Sequence, residues 1–238
     1  MNKVYITGDK HGSLRPFFGL AEKQLADSTD IMIITGDAGY VMDDDYMLKI
    51  GTLEQLFPGT ICFIDGNHEN HRLLNSLPVS EWQGGRVHRI GERVIHLMRG
   101  ELYTIGGENY FTFGGARTVS RFVEGVEGID WWLGEEPTEE ELAEGRDRFC
   151  KYLDRIDYVI THEAPMFARH HIDRIKRVDD DYTLPGILDE WYDLISGSSR
   201  LKKWYFGHMH TDKSVTPILR GIFNNIVEAG SEERLCWA

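Results

Sequence analysis

Seven oxygen and imidazole donors stand in five short clusters, each just after an apolar run rich in β-branched or aromatic residues. Asp9 and His11 follow the run 4–7, Asp37 follows 31–35, and Asn67 follows 61–64. His162 follows 158–161, and His208 and His210 follow 204–206. An apolar run closed by glycine and polar residues predicts a buried strand with a loop at its carboxyl end. In sheets linked by helical crossovers, ligands collect outside the carboxyl ends of the strands. Five such ends would bring these donors to one place, where they can hold two divalent metal ions. Aspartate and histidine together suit Mn2+, Fe or Zn2+. The absence of thiolates from the set argues against a structural zinc site.

The chemistry of such a pair is specific. A carboxylate shared by two ions holds them about 3.5–4 Å apart, and the pair lowers the pKa of a bound water enough to supply hydroxide near neutral pH. The same ions neutralise charge that builds on a phosphoryl group in the transition state. Asp37 is the natural bridge, since ligand-bearing strands flank it on both sides in sequence. A leaving alkoxide still needs a proton, and His68, beside Asn67, is placed to give it.

The order of these clusters is D-x-H, G-D, G-N-H-[DE], a lone His, and G-H-x-H. Here they read Asp9 and His11; Gly36-Asp37; Gly66-Asn67-His68-Glu69; His162; and Gly207-His208-Met209-His210. In this the chain resembles the calcineurin-like metallophosphoesterases over residues 5–210. The resemblance implies a four-layer α/β/β/α sandwich of two mixed sheets flanked by helices. It implies one metal on Asp9, His11, Asp37 and His210, and a second on Asp37, Asn67, His162 and His208. It also implies a water between the metals and His68 as the proton donor.

The departures from the family pattern bear on substrate. The serine/threonine protein phosphatase branch continues its second motif as G-D-x-V-D-R-G, whereas this chain has Tyr40 for the Asp that orients the catalytic His and Val41 for a phosphate-binding Arg. Another Arg of that branch falls at His71, with Arg72 one residue late. Arg117 and Arg121, after the Gly114-Gly115 turn, are the candidate substrate contacts instead. Trp131-Trp132 is either a stacking wall for a base or a hydrophobic anchor for its loop. The expected activity is hydrolysis of a small phosphate ester or nucleotide, a phosphodiester above a monoester. The competing readings are a phosphomonoesterase or protein phosphatase, a nuclease, and a protein-binding scaffold without catalysis.

Bulk composition narrows the partners. The chain has 238 residues and a formal net charge of −13, with basic residues scattered rather than in a stripe. A protein that tracks a polyphosphate backbone carries such a stripe, so long nucleic acid is not expected as a substrate. The acidic runs Asp43–Asp45, Glu135–Glu144 and Asp179–Asp181 read as solvated faces and helix starts. No apolar stretch reaches the length of a membrane span. Three widely spaced cysteines, Cys62, Cys150 and Cys236, and a first strand that begins almost at Met1 fit a cytoplasmic protein without a leader.

The elements that must position the donors follow from periodicity. Residues 1–38, 46–58 and 60–77 read as βαβαβ followed by a short helix stopped by Pro78. Runs at 87–90, 94–98, 102–105 and 110–113 read as strands of a second sheet. Residues 119–137 read as a loop inserted in a single domain of residues 1–238. Thr138 and Glu141 form a capping box that opens a helix to about Asp154. A polar loop is expected around His170-His171, a helix over 184–195, and a closing pair of strands over 213–229. The whole predicts an α/β fold of two sheets packed face to face with helices outside.

Overall fold

Strict alternation along the buried strands decides which face each residue takes. Val4, Ile6, Ile31, Ile33, Cys62 and Ile64 share one apolar cluster, while Tyr5, Met32, Ile34, Ile61 and Phe63 share another. Both faces of this sheet are apolar, so both must be covered. The computed structural model, which describes residues 3–43, 45–118, 125–172 and 183–237, shows what covers them.

The first sheet contains β1 (Val4–Thr7), β2 (Ile31–Ile34), β3 (Thr60–Phe63), β4 (Val79–Trp82), β5 (Gly85–Arg89), β6 (Val94–Leu97), β12 (Asn225–Glu228) and β13 (Arg234–Trp237), in the order β13-β12-β1-β2-β3-β6-β5-β4. The strands β1, β2, β3 and β6 are parallel neighbours, and the outer ones are antiparallel. Helices α1 (Arg15–Glu22) and α2 (Tyr46–Leu56) cover its outer face with Phe17, Leu20, Ile50 and Leu53. The second sheet contains β7 (Glu101–Ile105), β8 (Glu108–Phe113), β9 (Tyr158–Thr161), β10 (Lys203–Phe206) and β11 (Leu219–Gly221), in the order β11-β10-β9-β8-β7. Its outer face packs on α4 (Glu139–Tyr152), α5 (Met166–Ile172) and α6 (Thr183–Ile195) through Phe149, Ala168, Leu188 and Trp191. Between the sheets lies the middle cluster, where Tyr103, Tyr110, Tyr158 and Tyr205 meet the aliphatic residues of β1–β3. The molecule is thus a mixed α/β fold of two mixed sheets flanked by helices.

Several elements differ from expectation. Strands β5 and β6 belong to the first sheet, because Val94 faces the α1–α2 side and Ile95 and Leu97 face the middle; β6 continues the parallel run beside β3. Strand β4 has a half-exposed pattern without an apolar face, which hid it. Strands β11 and β12 are not a pair but lie in different sheets. His170 and His171 stand in α5 rather than a loop. Helix α1 ends at Glu22 because Gln24 turns into the left-handed region (φ +50°), where Leu25 N–H donates back to the Leu20 carbonyl. The capping box of Thr138 and Glu141 is present, with α4 giving way to a short 3-10 turn at 153–155. Residues 119–124, including Arg121, and the acidic run 179–181 lie outside the described residues.

Candidate metal centre

The five predicted strand ends do converge, and their loops are held against each other by backbone hydrogen bonds. Asp9 N–H donates to the Gly36 carbonyl, His11 N–H to Asp37 and Gly12 N–H to Ala38, at 3.1, 2.8 and 2.8 Å. From the second sheet, Gly207 N–H donates to the His162 carbonyl at 3.0 Å, and His208 N–H donates to Asp9 Oδ1 at 2.9 Å.

These loops are strained where the donors sit. Among the described residues, seven non-glycine residues have positive φ, and Asp9, His11, Asp37, His208 and His210 are five of them. A side chain held in the left-handed region costs about 1–3 kcal/mol and persists only where the surroundings over-determine it. Gly66 is required for close approach: a Cβ there would strike Asp37 Oδ1 and lie 2.7 Å from His162 Nε2.

The donors form one cluster. His11 Nε2 lies 3.2 Å from His210 Nε2, and His210 Nε2 lies 3.5 Å from Asp9 Oδ1. Asp37 presents its two oxygens to different partners: Oδ2 is 3.9 Å from His11 Nε2, and Oδ1 is 3.4 Å from His162 Nε2. His162 Nε2 is also 3.1 Å from Asn67 Oδ1. Two overlapping groups, Asp9–His11–His210 and Asp9–Asp37–His162, have ligand atoms within 4.8 Å of one another and could each hold an ion. His208 lies beside them, its ring centroid 5.2 Å from that of His162. Asp9, Asp37, Asn67 and His162 are buried, whereas His11 and His210 are exposed. The cluster is therefore floored by carboxylates and rimmed by imidazoles that face solvent.

Burial and mutual charge shift the proton affinities of the donors. Burial pushes the Asp9 carboxyl up to about 8, with His162 opposing and the Asp37 charge adding. Burial acts the same way on Asp37, but His162 and the His68 N–H outweigh it and hold Asp37 below the usual carboxylate range. Burial would lower His162, yet Asp37, Asp9 and the Thr35 carbonyl raise it to about 10. His208 is held well below its ordinary value by burial and by the charge on His162. Asp9 Oδ2 is buried with no hydrogen-bond partner among the described residues. An orphaned carboxylate oxygen at this depth is costly without a cation. The donor types, the orphan oxygen and the close approach at Gly66 all fit bound metal, which competes with protons for such ligands.

Further residues fix the donors, and they were not anticipated. His162 Nδ1–H donates to the Thr35 carbonyl at 2.7 Å, which leaves Nε2 facing Asp37 and Asn67. Asn67 Nδ2–H donates to Thr118 Oγ1 at 3.0 Å, and Thr118 Oγ1–H donates to Glu135 Oε2 at 2.7 Å, so the amide oxygen points inward. Glu135 is 1% exposed, which corrects its reading as part of a solvated acidic face. The buried Glu163 carboxylate lies 3.7 Å from His208 Nε2. Glu69 accepts from Ala38 N–H at 2.7 Å and so braces the Asp37 loop. Local sequence carries no signal for any of these pairings except that Glu163 adjoins His162.

His68 sits at the open side of the cluster. Its backbone N–H donates to Asp37 Oδ1 at 2.8 Å, and its half-buried ring lies 5.5 Å from the His11 ring. Asp65 does not orient it, since that carboxylate accepts from Arg99 Nε and Nη2 at 2.8 and 2.6 Å and from His96 Nε2 at 3.3 Å. His71 is buried and donates from Nε2 to the Gly66 carbonyl at 3.0 Å. Arg117 is paired with Glu136 at 2.9 Å. Trp132 is 7% exposed and serves as an anchor of its loop, while Trp131 Nε1–H donates to the Gly125 carbonyl.

No family model matches this chain, and no curated protein matches it. Among solved structures it is similar to the Thermus thermophilus sulfate thiohydrolase SoxB in complex with glycerol, at 12% identity and a TM-score of 0.36. That match covers 91% of this chain but only 37% of the other, so the chain spans about a third of that protein's length.

Proposed function

We propose that this protein is a dinuclear-metal phosphoesterase of the calcineurin-like type that hydrolyses a small phosphate ester or nucleotide, with diesters favoured. The observation that carries this reading is Asp37: a buried carboxylate whose two oxygens face His11 and His162 separately, at the centre of seven converging donors. On this reading Asp9, His11, Asp37 and His210 hold one ion, and Asp37, Asn67, His162 and His208 hold the other. Bound there, the ions supply an activated water and neutralise phosphoryl charge. His68 is the proton donor to the leaving oxygen, positioned by its own N–H on Asp37. Mn2+ is the ion of first choice for an oxygen and imidazole set.

The diester preference rests on what cannot grip a dianion. Val41 and His71 occupy the positions of two family arginines, and both are buried. Arg117 is engaged by Glu136. A diester carries a single negative charge and depends less on such a clamp. The test is metal analysis with hydrolysis of bis-p-nitrophenyl phosphate and p-nitrophenyl phosphate side by side in Mn2+. The diester should equal or exceed the monoester in kcat/KM, and exhaustive chelation should abolish both. Undiminished turnover without metal would overturn the reading; a strong monoester preference that collapses in Arg117→Ala would overturn the diester assignment.

A further inference from the structure

A cleft of about 750 Å³, within the range of small-molecule sites, opens at Asn70 and His71, shortly after His68 in the chain. One wall is the start of α3 (His71–Ser76), the short helix that begins three residues after His68; the other is the loop 127–133. The loop is tied to the centre through Glu135, which holds Thr118 and through it Asn67. Gly134 packs on His71, where a Cβ would lie 3.4 Å from the His71 Cβ. The cleft and the centre therefore share their supports.

The walls carry three kinds of chemistry. Arg72 is exposed on one wall and has no ion pair among the described residues, so its cation is available to an anionic group. Trp132 and Leu133 make the facing wall apolar, and Leu133 is 77% exposed. Asn75 and Glu127 are also exposed to the cleft. A carboxylate only accepts hydrogen bonds, so Glu127 calls for a donor such as an amine, and Asn75 can both donate and accept. The Asn70 side chain is already spent, accepting from Leu73 N–H and donating to the Met42 carbonyl.

A flat ring with an exocyclic amine and an attached phosphate satisfies all three. We infer that this cleft binds the nucleoside arm of the substrate and selects an amino-bearing base such as adenine. The ring lies against Leu133, Glu127 and Asn75 read its edge, and Arg72 faces the phosphate. The assignment leans on the phosphoesterase reading only for why the ligand carries phosphate.

The test uses the full chain stripped of metal by chelation, so that phosphate has no ion to bind. AMP should bind saturably in calorimetry, and IMP, which replaces the amine with an oxo group, should bind at least about 10-fold more weakly. Arg72→Ala should weaken AMP by about 10-fold while leaving adenosine unchanged. Glu127→Gln should erase the AMP–IMP difference, and Leu133→Asp should weaken both ligands. All three side chains are exposed, so the variants keep the fold. No saturable AMP binding, equal affinity for AMP and IMP, or affinities unmoved in all three variants would overturn the inference. Hydrolysis of bis-p-nitrophenyl phosphate by the metal-loaded wild type decides the phosphoesterase reading separately.

Discussion

Asp37 holds the centre together because each of its oxygens answers to a different imidazole. Asp37→Asn keeps the shape but removes the charge that both ions would share. At least one ion should be lost on metal analysis, and kcat should fall about 10³-fold or more, since a lost metal contribution is worth several kcal/mol. A variant with two ions and near-normal turnover would show that the bridge lies elsewhere. His68 makes a different kind of contribution, limited to the departing group. His68→Ala should slow alkyl or sugar esters by about 10²–10⁴-fold. It should slow p-nitrophenyl esters much less, because nitrophenolate leaves without a proton. Equal losses on both would assign His68 to binding or to metal geometry.

At the scale of elements, each donor stands on a loop that leaves a parallel strand and turns sharply, and the left-handed backbone at Asp9, His11, Asp37, His208 and His210 aims the side chains back over the sheet edge. Such loops need bracing from outside themselves. For Asn67 the brace comes from the loop 125–137, through Glu135 and Thr118. Glu135→Ala would free Thr118 and let the Asn67 amide turn. On the proposed ligand assignment, metal affinity at the position of Asn67, His162 and His208 should fall about 10–100-fold, as is typical when supports of metal ligands are lost. Calorimetric titration with Mn2+ should show one site weakened and the other retained; two unchanged sites would refute the coupling. The capping box at Thr138 starts α4 directly after this brace, so the helix and the ligand support are set by adjacent residues.

Across the whole molecule, buried histidines link stability to acid. Burial lowers both His71 and His88 to about 4, and both sit in the polar network around Asp65 behind the centre. In an unfolded chain a histidine takes its proton near pH 6.5. The unfolded state therefore binds protons first as pH falls, and stability present above about 6.5 is lost progressively toward 4. Urea midpoints should fall over that window in the wild type, and more gently in His88→Gln, which has no imidazole to charge. Parallel slopes for the two proteins would remove His88 from the account. Among the described residues no helix is long and apolar enough to cross a membrane.

The sequence by itself determined the donors and the five strand ends that carry them, because strand periodicity, glycine turns and residue type are all local properties. It also determined the capping box, which spans only Thr138 to Glu141. Tertiary structure alone decided which sheet received β5 and β6, since β6 is buried on both faces and alternation is blind to the neighbour. It separated β11 from β12, placed His71 on the Gly66 carbonyl, and turned Asp65 toward Arg99 and away from His68. It recruited Glu135, Thr118 and Thr35 to hold the donors. Those contacts join residues 51, 17 and 127 positions apart, and no local pattern encodes which distant side chain will arrive when two sheets close face to face.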